Sequence, residues 1–312
     1  MSDSSSKYYG MMLVTAFFWG GSWVSADILV ELAPPMIIGF FRFFVGLIFF
    51  AILLRAWHVN LRNLFRRENL GILFVVGFSG VFGYGVFFLI GMQYTTSAQG
   101  SIIAGLNPAT ISIFAHIIHK ERLAKKWQYL GFILSFIGVT FVIGVQALLE
   151  FNPSHLVGNL LILLAMITWG LYSSIGKEAM QTLSPAEVTA GGVFFGTALF
   201  GVASLTQLGP TSFLLDSVFW LNILFMGALV TFVGFLFFFM SIKSLGATRA
   251  SVFINLVPVF GTLLSVIILN ETIYPTFIVG LVLIVSGITL INFPVRKKLE
   301  PVSERSQVPL GA

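Results

Sequence analysis

Trp19-Gly20 returns as Trp169-Gly170, and the offset of 150 residues between the two pairs persists through most of the chain. Pro35 returns as Pro185, Gly46 as Gly196, Gly77 as Gly227 and Phe87-Phe88 as Phe237-Phe238. Ser101 returns as Ser251, Pro108 as Pro258 and Glu121 as Glu271, after which the register slips by one and pairs Gly131 with Gly280 and Gly138 with Gly287. A soluble solenoid needs many short repeats rather than two long ones. Two long apolar halves instead describe a duplicated membrane protein, an architecture that secondary transporters use. Composition agrees, because only 9% of the 312 residues are charged, whereas a water-facing surface draws on about 25%.

A helix that crosses a bilayer needs about 20 mostly apolar residues. Ten segments meet that length: 9–30, 35–56, 70–92, 97–118, 127–149, 157–179, 185–207, 218–241, 247–269 and 275–294. Their breaks carry turn or polar residues, among them Pro34-Pro35, Arg62 to Asn69, Lys120 to Lys126, Asn152-Pro153, Ser184-Pro185, Gly209-Pro210, Gly246 and Tyr274-Pro275. Backbone groups in lipid have to be satisfied internally, so the spans are expected to be helices and the fold all-α and polytopic. The expected organisation is a cytoplasmic N-terminus over 1–8, a first five-helix repeat over 9–149 and a second over 155–294. A polar, disordered cytoplasmic tail over 295–312 completes it. The run from Tyr9 to Val30 is longer than a signal-peptide core and has no convincing cleavage pattern, so it is read as a retained span.

Lys and Arg set the expected sidedness. Of the 17 basic residues, 16 fall at the N-terminus, in even-numbered connections or in the tail, and the remaining one is Arg42, inside the second span. The odd-numbered connections hold Glu31, Glu150, Asp216 and Glu271 but no Lys or Arg. The positive-inside rule then puts both termini in the cytoplasm of a plasma (inner) membrane protein. With five spans in each half, the second half enters the bilayer inverted. The charges follow that inversion: Lys120, Arg122 and Lys125 correspond to Asn270, Thr272 and Pro275, while Gln93, Gln99 and Asp27 correspond to Lys243, Arg249 and Lys177. Inverted repeats give two conformations of similar energy, the basis of alternating access. The net charge of +5 therefore reports topology rather than a nucleic-acid partner, and with no cysteine there is no disulfide or thiolate metal site.

Several ordered motifs carry a family resemblance. They are Phe18-Trp19-Gly20-Gly21-Ser22, Pro35 to Phe41-Arg42-Phe43, and Ala98 to Asn107-Pro108 followed by Lys120-Glu121-Arg122-Leu123. In the second half they recur as Thr168-Trp169-Gly170, Ser184-Pro185, Ala250 to Val257-Pro258, and Asn270-Glu271-Thr272. Over residues 9–294 the chain resembles the EamA-type permeases of the drug/metabolite transporter superfamily. That resemblance implies two inverted five-helix repeats around a central cavity, in proteins that often export amino acids or other small metabolites. Arg42 departs from the repeat, since its counterpart is Gly192.

Arg42 lies seven residues past Pro35, about 10 Å into the bilayer at a helical rise near 1.5 Å per residue. A cation at that depth faces a partner or an aqueous cavity. Asp27 stands at similar depth on the preceding span. An Arg42–Asp27 pair is thus the favoured expectation, with contact to a substrate carboxylate as the alternative. The candidate substrate-binding residues are Arg42, the aromatics Trp19, Trp23, Tyr84, Phe88, Trp169, Tyr172 and Phe238, and the polar residues Asn107 and Asn255. Mid-span Trp and Tyr either pack between helices or line a cavity, with less reason to place Phe88 and Phe238 there. Ser97, Ser101 and Gly105, repeated as Ala247, Ser251 and Asn255, read first as a close-packing stripe. The prolines that follow, Pro108 and Pro258, bend the helices where transporter sites form, which makes Asn107 and Asn255 candidate contacts. Glu121 and Glu271 read as structural residues at helix ends.

No HExxH, Gly-rich phosphate loop or metal-spaced His cluster is present, so no cofactor is expected and an enzyme reading lacks a nucleophile with an acid–base partner. A carrier of phosphorylated sugars or nucleotide sugars calls for several buried cations, and a multidrug exporter of cations for a central carboxylate; the spans offer neither. The aromatic, mostly neutral interior favours export of amphipathic solutes such as amino acids or related metabolites. A non-transporting membrane receptor or assembly factor is the alternative from a different class. The expected partners are a small solute and the lipid bilayer, and the sequence does not choose between a monomer and a homodimer.

Overall fold

The computed structural model of the chain describes residues 3–59, 64–95, 97–143, 155–209, 216–269 and 275–293. Among them every regular element is helical. The helices are α1 (Ser5–Leu32), α2 (Pro35–Ala56), α3 (Arg67–Tyr94), α4 (Gly100–His119), α5 (Lys126–Ile143), α6 (Leu156–Ala179), α7 (Pro185–Gln207), α8 (Ser217–Leu245), α9 (Ala247–Ile268) and α10 (Phe277–Asn292). The first nine are long and apolar enough to span a bilayer, and α10 is a shorter apolar helix. α1 starts ahead of Tyr9, so part of the expected N-terminal tail is helical. The tail over 295–312 and the junction between the repeats lie outside the described residues, as do Asn270, Glu271 and Thr272.

Local chemistry sets the helix starts. Pro35 and Pro185 occupy first-turn positions, where the missing N–H costs nothing. Ser184 caps α7 with a reciprocal box: its hydroxyl accepts from Glu187 N at 3.2 Å while its own N–H donates to the Glu187 carboxylate at 2.8 Å. Asp216 caps α8 by accepting from Phe219 N at 2.9 Å. These capping groups satisfy first-turn amides that have no partner within their own helix.

The two repeats interlock, and their crossings come in matching pairs. α1 packs on α9 as α6 packs on α4; α2 packs on α8 as α7 packs on α3. Glycines mark each crossing. A Cβ at Gly20 would stand 2.7 Å from Gly261 N, and one at the equivalent Gly170 would stand 3.0 Å from the Thr110 carbonyl carbon. α5 lies along α10, and a Cβ at Gly131 would come within 2.6 Å of the Gly287 carbonyl oxygen. A Cβ at Gly138 would come within 2.7 Å of that of Gly280. Because Gly131 corresponds to Gly280 and Gly138 to Gly287, these two contacts exchange under the repeat, as an inverted pseudo-twofold requires. Small residues are needed where helix backbones meet in lipid.

The irregular turns are duplicated too. α3 contains a π-helical stretch over Gly77–Gly83, and α8 contains one over Phe225–Gly234 at the equivalent position. α4 breaks after Ala104, ahead of its Asn107–His119 segment, and α9 passes through a 3-10 stretch over Val252–Leu256. Such interruptions loosen the helical hydrogen-bond ladder and recur at functional sites.

Candidate functional site

The duplicated interruptions border a narrow central cavity. Trp19, Ser22 and Trp23 of α1, Arg42 of α2 and Tyr84 of α3 line it, with Ser101, Ala104 and Asn107 of α4. Met166 and Trp169 of α6, Val230 and Phe235 of α8, and Ile254, Val257 and Pro258 of α9 complete the wall. Gly20 and Gly170 bring α1 and α6 close to their partners, and this is why the two Trp rings meet: Trp19 and Trp169 stand edge to face, 5.2 Å between centroids. Tyr84 lies 4.8 Å from Trp169. The Trp19 indole donates to the Val230 carbonyl at 3.1 Å, a group made available by the π-helical stretch of α8.

Arg42 is 3% exposed. Its Nε donates to Thr231 Oγ1 at 3.2 Å, and its guanidinium carbon stands 4.9 Å from the Phe43 ring centroid. The expected pair with Asp27 does not form. Ion pairs among the described residues are Arg66–Glu68 and Lys177–Glu121, with His119 Nδ1 also 3.4 Å from the Glu178 carboxylate, and Asp27 is exposed where Arg42 is buried. The physical reason lies in the packing: α2 runs along α7 and α8 and touches α1 little, so sequence neighbours at equal depth are not neighbours in space.

Of the residues singled out in the sequence, Trp19, Trp23, Arg42, Tyr84, Asn107 and Trp169 reach the cavity wall. The other four stand behind it. Phe88 stacks on Tyr84 and meets Trp23 edge-on at 5.0 Å; Phe238 packs on Trp19 and Trp169; Tyr172 backs Trp169 at 4.8 Å. Asn255 is buried within the 3-10 stretch of α9. Sequence reasoning missed Thr231, whose partnership with Arg42 could have been suspected only from the repeat, where Thr231 replaces Val81 just as Arg42 replaces Gly192.

Toward the face that carries Lys120 and Lys177, polar contacts tie the helices together. The Glu121 carboxylate accepts from Lys177 Nζ of α6, from Thr248 N at 2.8 Å and from Ala247 N at 3.3 Å, the last two at the start of α9. Gly246 makes this approach possible. It has φ 88° and ψ 156°, a conformation essentially confined to glycine, and a Cβ there would stand 2.9 Å from a Glu121 carboxylate oxygen. His119 Nε2 donates to the Ser174 carbonyl at 2.8 Å, and Ser112 and Thr248 hydroxyls meet at 3.4 Å. Burial of the Glu121 carboxylate opposes its charge, but the hydrogen bonds from Lys177 and Thr248 outweigh that and hold its carboxyl below the ordinary carboxylate range. Glu121 thus ends a helix, as the sequence suggested, but also ties three helices of both repeats together.

Among the described residues no three His, Cys, Asp or Glu side chains converge as a metal site would need. Aromatic faces and one cation line the cavity instead. A solved crystal structure of a protein 20% identical superposes with a TM-score of 0.77 over 92% of this chain and 97% of that one, a likeness that speaks to the fold alone. An uncharacterized transporter of Bacillus subtilis (strain 168), YyaM, is 29% identical over 96% of this chain and 98% of its own length. An uncharacterized transporter of Archaeoglobus fulgidus is 26% identical over 94% of this chain and all of its own. The model of the EamA-like transporter family matches twice, at residues 6–144 and 156–293. The chain belongs to the EamA-like transporter family.

Proposed function

We propose that this multi-pass membrane protein exports small amphipathic metabolites, amino acids or related solutes, across the plasma membrane by alternating access. The observation that carries this reading is the asymmetry of a symmetric build. Two inverted repeats enclose one cavity, closed toward the Lys120 face by the Glu121 network, while their crossings are nearly equivalent. Equivalent crossings make the opposite arrangement, shut on the other face, similar in energy. Solute held by Arg42 and the Trp19, Trp23, Tyr84 and Trp169 rings would be exposed to one side at a time. The distribution of Lys and Arg supports cytoplasmic termini and a cytoplasmic Glu121 face.

Purified protein in liposomes tests the reading. Vesicles preloaded with a mixture of amino acids and aromatic acids should release them faster than protein-free vesicles, and an external solute should accelerate release by counterflow. Release no faster than from empty vesicles, with folded protein verified by its thermal transition, would favour a non-transporting receptor. Orientation is tested separately. Cysteines introduced at Asn152 and Ser306 of this cysteine-free chain should label from outside and inside respectively.

A further inference from the structure

The cavity wall carries one full charge, on Arg42, and no carboxylate among its described residues. Guanidinium stays protonated in proteins, and a buried cation without a counter-ion is costly. A threonine hydroxyl and a ring face temper that cost here, but neither is an anion. The repeat sharpens the point. The crossing of α7 on α3 is apolar, with Gly192 and Val81, while the equivalent crossing of α2 on α8 carries Arg42 and Thr231. The cation and the group that orients it occur together, at one of two otherwise equivalent places.

Two further groups in the same wall lack partners. Trp169 Nε1 and Asn107 Oδ1 are buried, the residues 2% and 5% exposed, and neither makes a hydrogen bond. Indole N–H is only a donor, so it calls for an acceptor. Buried polar atoms without partners are uncommon and mark places where a ligand group is due. A carboxylate supplies what is missing: charge for Arg42 and an acceptor for the indole. The rings of Trp19, Trp23, Tyr84 and Trp169 supply flat apolar walls for its body.

Resting on the transporter reading of this same cavity, we infer that the site selects organic monocarboxylates with an aromatic or apolar body. An α-ammonium group is dispensable, because the wall meets it only with neutral groups, the Asn107 amide oxygen and the Ser22, Ser101 and Tyr84 hydroxyls, and with no carboxylate among its described residues. No second cation stands among the described wall residues to receive another negative charge, so dianions are disfavoured, and amines meet Arg42 as like charge. The class therefore differs from one in which the ammonium of an amino acid is a recognised group.

Five probes of one skeleton decide it: 3-phenylpropionate, phenylalanine, 3-phenylpropionamide, phenethylamine and benzylmalonate. Binding is read by ligand-induced thermal shift and by competition on the unaltered protein in detergent at neutral pH. 3-Phenylpropionate should bind at least as tightly as phenylalanine and about tenfold or more tighter than the amide, the ratio expected of one charge-assisted contact. The amine and benzylmalonate should bind more weakly than the monocarboxylate. Arg42→Gln should bring acid and amide to within about twofold of each other, and Arg42→Lys should keep part of the preference. If Arg42→Gln does not fold, Trp169→Phe, which keeps a ring and removes the indole N–H, should weaken the acid more than the amide. Equal binding of acid and amide, preference for the amine, a clear requirement for the α-ammonium group, or no binding by any probe overturns the inference. A ranking as expected with no flux in liposomes would leave the site standing and remove the transporter reading instead.

Discussion

Neutralising Glu121 should open the closed face. Glu121→Gln removes the charge that Lys177 and the first amides of α9 bond to, while leaving an oxygen for Thr248 N. An exposed ion pair contributes about 0–1 kcal/mol, and breaking a buried one costs about 3–5 kcal/mol. The Glu121 and Lys177 side chains are 16% and 28% exposed, which puts this pair between those limits, near about 2 kcal/mol. If that contact exists only in the state closed on this face, its loss shifts the conformational equilibrium by about 30-fold. Ser251→Cys is a suitable reporter, because Ser251 is fully buried between the Glu121 network and the cavity. Its alkylation by a water-soluble maleimide should be slow in the parent and about 10- to 30-fold faster with Glu121→Gln, provided the closed state dominates the parent. Glu121→Ala, which also uncaps α9, should go further by about 1 kcal/mol. Unchanged labelling in both variants, with unchanged thermal stability, would refute a latching role for Glu121.

Three other outcomes follow from the same structure. Gly246→Ala forces a side chain into a glycine-only conformation and against the Glu121 carboxylate, so it should cost about 1–3 kcal/mol and raise Ser251→Cys labelling as Glu121→Gln does. Because the folded carboxyl of Glu121 titrates below its ordinary range, its contribution is complete above that range and is lost as pH falls through the lowered value. A scan of thermal transition against pH should therefore show a loss on acidification that is smaller in Glu121→Gln. Gly138→Ala, at the α5–α10 backbone crossing, should destabilise by about 1–3 kcal/mol, whereas Gly10→Ala, with open space around it, should not.

Much of the fold was legible because lipid imposes simple rules on sequence. Span lengths, the confinement of Lys and Arg to alternate connections and the offset from Trp19 to Trp169 together describe ten inverted helices. The observed helix bounds differ from those expectations mainly at ends, as at Ser5 and Tyr94. The inward placement of Trp19, Trp169 and Arg42 was also readable, because the repeat puts the first two near its axis and a lone cation cannot face lipid. Side-chain partners were not readable. Depth in the bilayer suggested Asp27 for Arg42, but depth says nothing about which helices adjoin, and the observed acceptor is Thr231, 189 residues away. The π-helical stretches of α3 and α8 rotate later residues relative to a regular helix, and no apolar period in a uniformly apolar span reveals that. Lys177 and Glu121 were hidden for another reason, since each was already accounted for as a topology charge or a helix end.

The central claim is that one cavity serves two faces in turn, and Ser101 and Ser251 test it most directly because they are repeat counterparts. Ser101 lines the cavity and is partly exposed, while Ser251 is fully buried next to the Glu121 network. Single cysteines at each position, in a chain with no cysteine of its own, should label unequally in resting proteoliposomes: Ser101→Cys rapidly from the face opposite Glu121, Ser251→Cys slowly from the Glu121 face. A transported solute should slow the first and speed the second. Labelling of either site from both faces at once, or solute that leaves both rates unchanged while flux is measured, would contradict alternating access.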